Sequence, residues 1–449
     1  MSLGTPHPRE LRIQSRATVF LEDLVVEQLR AACWLERNAP LILAFKTPAD
    51  EMSRISTDIV VIGGGVIGWT IALRLRADGR EVVVVEPNEP GSGASYGNAG
   101  TIADYATIPV GTPSVLRKFL SLLLDPDSPL AIRKAALPTL FPWMARFAYE
   151  SLPHRYRDNA RRIAELVSDA SSEWTELADE IGASKLLTAK GCLYLYRTST
   201  TFKAATSDIE LRRSHGVSQE LLSADDVLQL EPRLPRFEGG GLFFPNAMNL
   251  TDPGQVMRLL SAAVQRTGVD FIKASATWIT RERDGVRVAS SPFEVRARTV
   301  VIAAGAHSRK LAAEIGDPVP LDTERGYHIE YDMAESPIER PVCPATEGFY
   351  LCPMRGRLRV AGMVELGGLA APANPHLLQT LATNTRRIFP ELGAPSRTWL
   401  GFRPSMPDSV PVIRPSKGGR DVILAFGHGH IGLTLAPRTA RLVSAMLAA

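Results

Sequence analysis

Four cysteines, Cys33, Cys192, Cys343 and Cys352, are all that 449 residues contain, and none stands at CxxC or zinc-finger spacing. That scarcity argues against a disulfide framework or a cysteine-built metal cluster and suits a reducing cytoplasm. No run of roughly 18 apolar residues is present, the length a membrane-crossing helix needs, and Leu41 to Phe45 is too short for the core of a secretory signal. No block of Lys and Arg stands out. A formal net charge of +3 is too small on a chain of this size to make a nucleic-acid footprint. Internal repeats are absent as well. What is left, 45% hydrophobic and 22% charged, is ordinary globular composition with length for two domains and a large core. The expected partner is a small molecule.

Residues 1–51 mix Arg, Pro and apolar residues without a sustained period and end just before a second methionine, Met52. We expect translation to begin at Met52, because the next few residues lead straight into a first strand. Ile59 to Ile62 reads as a buried parallel strand, Gly63 to Gly68 as a tight turn, and the following residues as a helix that Gly79 ends. A second strand, Val82 to Val85, closes on Glu86, and Gly91 to Gly100 is a glycine-rich loop. From about 115 to 185 the pattern is helical. Leu137, Leu140, Phe141, Met144, Phe147 and Ala148 share one face, as do Ile163, Leu166, Val167, Ala170, Trp174, Leu177 and Ile181. Most of this is expected to be core, with a membrane-surface or partner-binding helix as the alternative for the Trp143/Phe147 stripe. Cys192 to Tyr196, Gly326 to Tyr331 and Leu358 to Val364 suit an antiparallel sheet. Asp252 caps a further helix with Pro253 in its first turn. A strand through Thr299 to Ile302 ends in the small residues Ala303, Ala304 and Gly305, and a last helix covers Ala436 to Leu447.

The fold class expected is therefore α/β, a Rossmann-like dinucleotide domain interleaved with an α+β substrate domain built on an antiparallel sheet. The boundaries read as 52–112, 225–310 and 398–449 for the first domain and 113–224 and 311–397 for the second.

Gly63-Gly-Gly65-Val66-Ile67-Gly68 follows a strand and opens a helix, and Glu86 ends the next strand about twenty residues on, which completes a dinucleotide fingerprint. Gly63 permits the turn, Gly65 admits the pyrophosphate to the helix N-terminus, Gly68 allows close helix packing and Glu86 accepts from ribose hydroxyls. An acid at 86 disfavours a 2′-phosphate. The fingerprint alone does not separate FAD from NAD; three nucleotide-type segments interrupted by substrate-type segments favour FAD. Arg403 precedes Pro404, which holds its neighbour extended, and a guanidinium fork is the natural receptor for a carboxylate. Its structural alternative is a salt bridge to Asp408. Along the strand after Glu324, Arg325 and Tyr327 should face one way and His328 the other.

Gly63 to Glu86, Ser95 to Gly100, Glu324 to His328, Trp399 to Asp408 and Gly427 to Thr434 together resemble the FAD-dependent D-amino acid dehydrogenase branch of the D-amino acid oxidase and glycine oxidase superfamily. The resemblance spans residues 56–449. It implies FAD, touched by Ser95, Asn98, Ala99 and Gly100, by Ala304 and Gly305, and by Gly427, His428, His430, Gly432, Leu433 and Thr434; because that last segment contains no Cys, the FAD is expected to be non-covalent. It also makes the Arg403 region face the active site; the strand reading adds Tyr327, His328 and Tyr350 as pocket candidates, and no metal is expected, because His428 and His430 have no carboxylate or Cys partner at ligand spacing. The implied reaction is hydride transfer from the α-carbon of a D-amino acid to flavin N5. D-proline or D-hydroxyproline is a serious option, and a quinone or other electron-transfer partner is the implied acceptor. Alternatives are a glycine- or sarcosine-type amine oxidase using oxygen, an NAD dehydrogenase, and a non-catalytic flavoprotein subunit. Peripheral association with the inner face of the membrane and homo-oligomerisation remain compatible. Intact-mass measurement on protein from its native source should give a chain beginning at Met52; a product beginning at Met1 overturns that expectation.

Overall fold

A computed structural model describes residues 53–117, 130–290 and 293–448. The expected start at Met52 and Cys33 lie outside the described residues. Five parallel strands run in the order Asp270–Ile272, Val82–Val85, Ser53–Ile62, Phe293–Ile302 and Gly419–Phe426. Their apolar runs follow from burial on both faces. Ile59, Val61, Val82 and Val84 enter one core cluster, and Val60, Ile62, Val83 and Val85 enter another. Helices Val66–Ala77, Ala170–Glu180, Pro253–Arg266 and Ala436–Ala448 close the first cluster. The second is closed by the antiparallel strands Trp278–Glu282 and Gly285–Ser290 and by helix Ser308–Glu314. Asp252 caps its helix as expected, its carboxylate accepting from the Gln255 amide at 3.0 Å.

A second sheet runs Arg397–Ser405, Asp322–Asp332, Arg357–Leu366, Phe349–Met354, Val342–Pro344, Cys192–Leu195, Gly241–Phe244 and Glu220–Leu222. It is antiparallel except where Val342–Pro344 meets Cys192–Leu195 and where Leu130–Ile132 joins Arg357–Leu366. One face, with Tyr327, Ile329 and Tyr331, packs against Leu377 and Leu381 of helix Pro375–Ile388. The other face carries Gly326, His328, Gly401 and Arg403 and turns toward the parallel sheet, where Ser405 forms a β-bridge with His428.

The interleaving is as expected, but its crossings fall elsewhere. Gly241–Phe244 still pairs with the substrate sheet, so the nucleotide fold resumes at Pro253 rather than 225. Arg397–Ser405 pairs with Asp322–Asp332, which moves the last crossing from 398 to beyond Ser405. Helix Ala170–Glu180 covers the nucleotide core, because an apolar helix face does not say which sheet it will cover. In helix Leu137–Glu150, Leu140 and Trp143 are buried while Leu137, Phe141 and Tyr149 are exposed, Phe141 by 70%.

The two sheets are tied through one buried carboxylate. Glu330 accepts from Nε of Arg357 at 2.9 Å and from Nε of Arg359 and Arg397 at 2.8 Å each. Arg359, fully buried, turns Nη1 to the carbonyls of Tyr96 and Asn98, both at 2.8 Å. His328 Nδ1 lies 3.0 Å from the carbonyl between them, that of Gly97. Burial by itself would raise the Glu330 pKa, but the guanidinium groups of Arg359, Arg397 and Arg357 outweigh it and bring the carboxyl down to about 2. His328 is also pulled down, to about 4, by burial and by Arg359.

Glu330→Gln should cost about 3–5 kcal/mol in denaturant unfolding, because it leaves buried guanidinium groups without their counter-charge. The sign of the pH dependence follows from a depressed folded-state pKa. The stabilisation is complete above the ordinary value of 4.5 and is lost as the pH falls through about 2. Wild-type unfolding free energy should drop across that window more steeply than that of the variant; equal stability of the two proteins at neutral pH overturns the assignment.

Candidate functional site

The parallel strands end level with one another. Ile62 stands beside Val85 and Ile302, and Ile302 beside Leu424. Ligands of open α/β sheets bind at such a carboxyl edge, and four loops converge on it. In the first, Gly63 has φ +116, and a Cβ there would lie 2.3 Å from the Ala303 carbonyl oxygen. A Cβ at Gly68 would meet the Gly63 oxygen at 1.9 Å. Helix Val66–Ala77 has Gly65 as its N-cap and so no capping side chain of its own. Ser95 Oγ instead accepts from the Val66 amide at 2.8 Å, beside the half-buried Ile67. In the second loop Glu86 Oε2 accepts from the Gly64 amide at 2.8 Å, and Oε1 from the Asn88 amide and side chain at 3.0 Å each.

The Ser95 to Gly100 loop continues from the helix N-terminus to the substrate sheet. Asn98 folds it on itself, donating to the Ser95 carbonyl at 2.6 Å and accepting from the Gly100 amide at 2.8 Å across Ala99. In the third loop Ala304 and Gly305 are half-buried, and nothing stands within 4 Å of where a Cβ of Gly305 would be. The fourth loop is Gly427 to Thr434. His428 is buried, with Nε2 2.9 Å from Thr439 Oγ1, and desolvation brings its pKa down to about 3. His430 is open at its surface, yet the protein that encloses it more widely desolvates it. That enclosure, with Arg403 nearby, holds its pKa down to about 4. Past Gly432, the Leu433 carbonyl accepts from Trp174 Nε1 at 2.8 Å and Thr434 Oγ1 accepts from the Ala103 amide at 3.1 Å. The amides of Leu433 and Thr434 themselves meet no acceptor among the described residues. The N-terminus of helix Val66–Ala77, the acid Glu86 at the end of the second strand, the open space at Gly305 and the unpaired amides of Leu433 and Thr434 fit the anionic, hydrogen-bonding outline of FAD.

Facing this edge, the substrate sheet presents Arg403. Its guanidinium lies above Gly326, where a Cβ would come within 2.5 Å of Cζ, and Nη1 donates to the Met363 carbonyl at 3.1 Å. Glu324 is directly across the ladder and buried. Asp408 lies near Arg162, 3.4 Å away, and takes no part in holding Arg403. Trp399 covers Gly97 and Gly401, which have room for no side chain, and stacks on His328 with ring centroids 5.0 Å apart. Tyr350 is level with Ala361 and His328 and therefore on the Arg403 face; its hydroxyl is 2.6 Å from that of Tyr194.

Tyr327 is on the opposite face. Its hydroxyl donates to Glu365 at 2.6 Å and accepts from the Asn374 amide at 3.1 Å. The pleat that sends His328 toward the Gly97 loop sends Tyr327 under helix Pro375–Ile388, which corrects the expectation that this hydroxyl faces the substrate. Arg359, Glu330 and Met363 were not singled out from the sequence. Charged residues inside an apolar strand run, as in Arg357 to Val364, are the signal that could have marked the first two.

Residues 58–446 match the family model described as FAD dependent oxidoreductase. A D-amino-acid oxidase of Bradyrhizobium diazoefficiens is 33% identical over 401 residues, covering 87% of this chain and 94% of that one. D-amino acid dehydrogenase 2 of Ralstonia nicotianae is 31% identical over 412 residues, covering 87% and 96%. Among solved structures, a glycine oxidase from Geobacillus kaustophilus matches with a TM-score of 0.69 at 21% identity, over 88% of this chain and 95% of that one. An L-proline dehydrogenase from P. horikoshii gives 0.69 at 19% identity, over 88% and 94%. The structural likeness, at such identities, concerns the fold. With nearly its whole described length matched and an FAD-shaped edge on its parallel sheet, the chain belongs to the FAD dependent oxidoreductase family.

Proposed function

We propose that this protein oxidises a D-amino acid, with Arg403 receiving the substrate carboxylate. The observation that carries the reading is the placement of that guanidinium. It is only partly exposed beside the carboxyl edge of the nucleotide sheet, with buried Glu324 across the ladder, one N–H bonded to the Met363 carbonyl, and its remaining donors without a hydrogen-bond acceptor among the described residues. The curated relatives named D-amino-acid oxidase and D-amino acid dehydrogenase support the substrate class. FAD, when bound, supplies the acceptor for the α-hydrogen and its electron pair.

Gly63, Gly65, Val66, Ile67 and Gly68 are assigned to its pyrophosphate, Glu86 to a ribose, and Ser95, Asn98, Ala99, Gly100, Ala304 and Gly305 to its flanks. Gly427, His428, His430, Gly432, Leu433 and Thr434 are assigned to the ring side, where the open amides of Leu433 and Thr434 suit developing negative charge. His328 and His430 are both neutral at pH 7. A substrate amine that arrives neutral needs no protein base before hydride leaves the α-carbon, and the iminium so formed gives up its proton to water, so orientation by Arg403 is the chief contribution of the chain. The released imine hydrolyses in water to a 2-oxo acid and ammonia, or stays cyclic if the substrate is a proline derivative. Tyr350, on the Arg403 face, is assigned to the pocket wall; His328 holds the Gly97 loop, and Tyr327 holds the Asn374 segment.

D-amino acids, their L enantiomers, D- and L-proline derivatives including cis-4-hydroxy-D-proline, glycine and sarcosine should be titrated anaerobically into the yellow protein. Bleaching by D compounds alone is expected, and Arg403→Leu should lose on the order of a hundredfold in kcat/KM. A flavin that none of these compounds reduces overturns the reading. Slow recovery of colour on admitting oxygen, and fast recovery with a soluble quinone, is the pattern expected of a dehydrogenase; the reverse order favours the oxidase reading, which the Bradyrhizobium relative supports.

Electron transfer to a membrane quinone is the second part of the proposal, carried by the exposed Leu137, Phe141 and Tyr149 with exposed Lys134 and with Arg146, itself paired with Glu150 at 2.8 Å, beside them. Apolar side chains rimmed by cations suit a shallow seat in an anionic bilayer surface, and among the described residues no helix is long and apolar enough to cross a membrane. The protein should co-sediment with vesicles containing anionic lipid at low salt, and Phe141→Glu should abolish this without changing activity toward a soluble acceptor. Wild-type protein left entirely in the supernatant refutes the membrane seat.

A further inference from the structure

Strand Arg357–Leu366 is irregular where it passes Asp322–Asp332. Arg325 pairs with Glu365 but Tyr327 with Gly362, so Met363 and Val364 together oppose Gly326 alone. This is a β-bulge, an insertion that lets one backbone group leave the ladder, and its left-handed position is ordinarily filled by glycine. Here it is filled by Met363, with φ +57; among the described non-glycine residues only Met363 and Ser409 have positive φ. Such conformations persist where the surroundings over-determine them and are found at ligand clamps and active sites.

The surroundings of Met363 do so from two directions. Its side chain is 1% exposed in a cluster with Ile329, Phe349 and Leu351, and its amide donates to the Gly348 carbonyl at 3.1 Å. The released carbonyl is the group that accepts from Arg403 Nη1 at 3.1 Å. Gly326, the residue opposite the bulge, is the one above which the guanidinium lies. By register Arg403 stands across from Glu324, and Gly401 across from Gly326. The arginine therefore leans along the sheet toward the bulge, and the Met363 carbonyl is where the lean ends.

We propose that Met363 is a positioning residue. Its left-handed backbone turns one carbonyl out of the ladder and onto the sheet face, where it fixes the direction in which the Arg403 fork presents its remaining donors. This rests on Arg403 receiving the substrate carboxylate. The role belongs to the backbone conformation, with the side chain as its anchor, so Met363→Ala and Met363→Gly separate the two. Both remove the buried side chain, but only alanine resists a positive φ.

Holoprotein of each variant should be titrated calorimetrically with benzoate, a carboxylate that has no α-hydrogen to lose, and assayed with the best D-amino acid. Met363→Ala should bind benzoate roughly tenfold more weakly and raise KM by a similar factor, while FAD content and the flavin-reduction rate at saturating substrate stay within about twofold. Met363→Gly should recover binding to within about threefold of wild type, although its thermal stability falls with that of the alanine variant. Equal losses of benzoate affinity in the two variants, or no loss in either, overturn the proposal. Arg403→Lys is the control for the underlying reading: unchanged benzoate binding there refutes the carboxylate receptor itself, whatever the Met363 variants do.

Discussion

The Ser95 to Gly100 loop of the candidate site is held to the substrate sheet by the contact between Glu330 and Arg359. A guanidinium buried as deeply as that of Arg359 is costly without a counter-charge, and Glu330 supplies it while also neutralising Arg357 and Arg397. What the arrangement achieves is reach. Arg359 uses the donors left over from Glu330 to hold the Tyr96 and Asn98 carbonyls, and those residues belong to the loop whose other end is fastened to the nucleotide helix through Ser95. Two sheets with separate cores are thereby linked through this loop, alongside the Ser405–His428 bridge, and the link at the Arg359 end is made of charge-assisted hydrogen bonds, which are short and directional where hydrophobic contact is not.

A second buried carboxylate works on the opposite face of the same sheet. Glu365 accepts from Arg133 at 2.9 Å, Arg325 at 2.7 Å and Tyr327 at 2.6 Å, and Arg325 reaches on to the carbonyls of Gly368, Ala371 and Pro372. The division of labour follows the pleat. Side chains one residue apart on Asp322–Asp332 serve different networks, His328 and Glu330 toward the cofactor side, Arg325 and Tyr327 toward the outer helix. Buried ion pairs of this kind add little net stability compared with apolar packing; their return is that irregular loops are held in one place.

How far the sequence revealed this depends on whether the signal was local. The Gly63 to Gly68 turn, Glu86 and the Asp252 cap are written in neighbouring residues, and the structure has each where the pattern put it. Tyr327 and His328 were read as alternating, and they do alternate, but which face would meet the cofactor depended on a strand about seventy residues later, Arg397–Ser405. Domain crossings failed in the same manner, since the affiliation of Gly241–Phe244 is decided by a partner strand and not by its own composition. The strained Met363 had no local signature at all, because a methionine in a strand looks like core, and this one is core in its side chain. Its unusual part is the backbone, which only the register of the opposing strand exposes. Leu137 and Phe141 likewise read as core by periodicity and proved open, because periodicity reports that a face is apolar and not what lies against it.

The parallel sheet is assembled from pieces far apart in the chain: Ile59 pairs with Thr299, 240 residues later, and Val300 with Val422. At ribosomal speeds of about 5–20 residues per second, the first strand waits roughly ten to fifty seconds for its central neighbour and longer for the last one to arrive. During that interval a valine-rich strand pair with an open edge is exposed in a form that invites pairing with other chains. The discontinuity that brings four loops to the carboxyl edge of the sheet thus leaves strand edges open in the nascent chain, and places completion of that edge among the last events of synthesis.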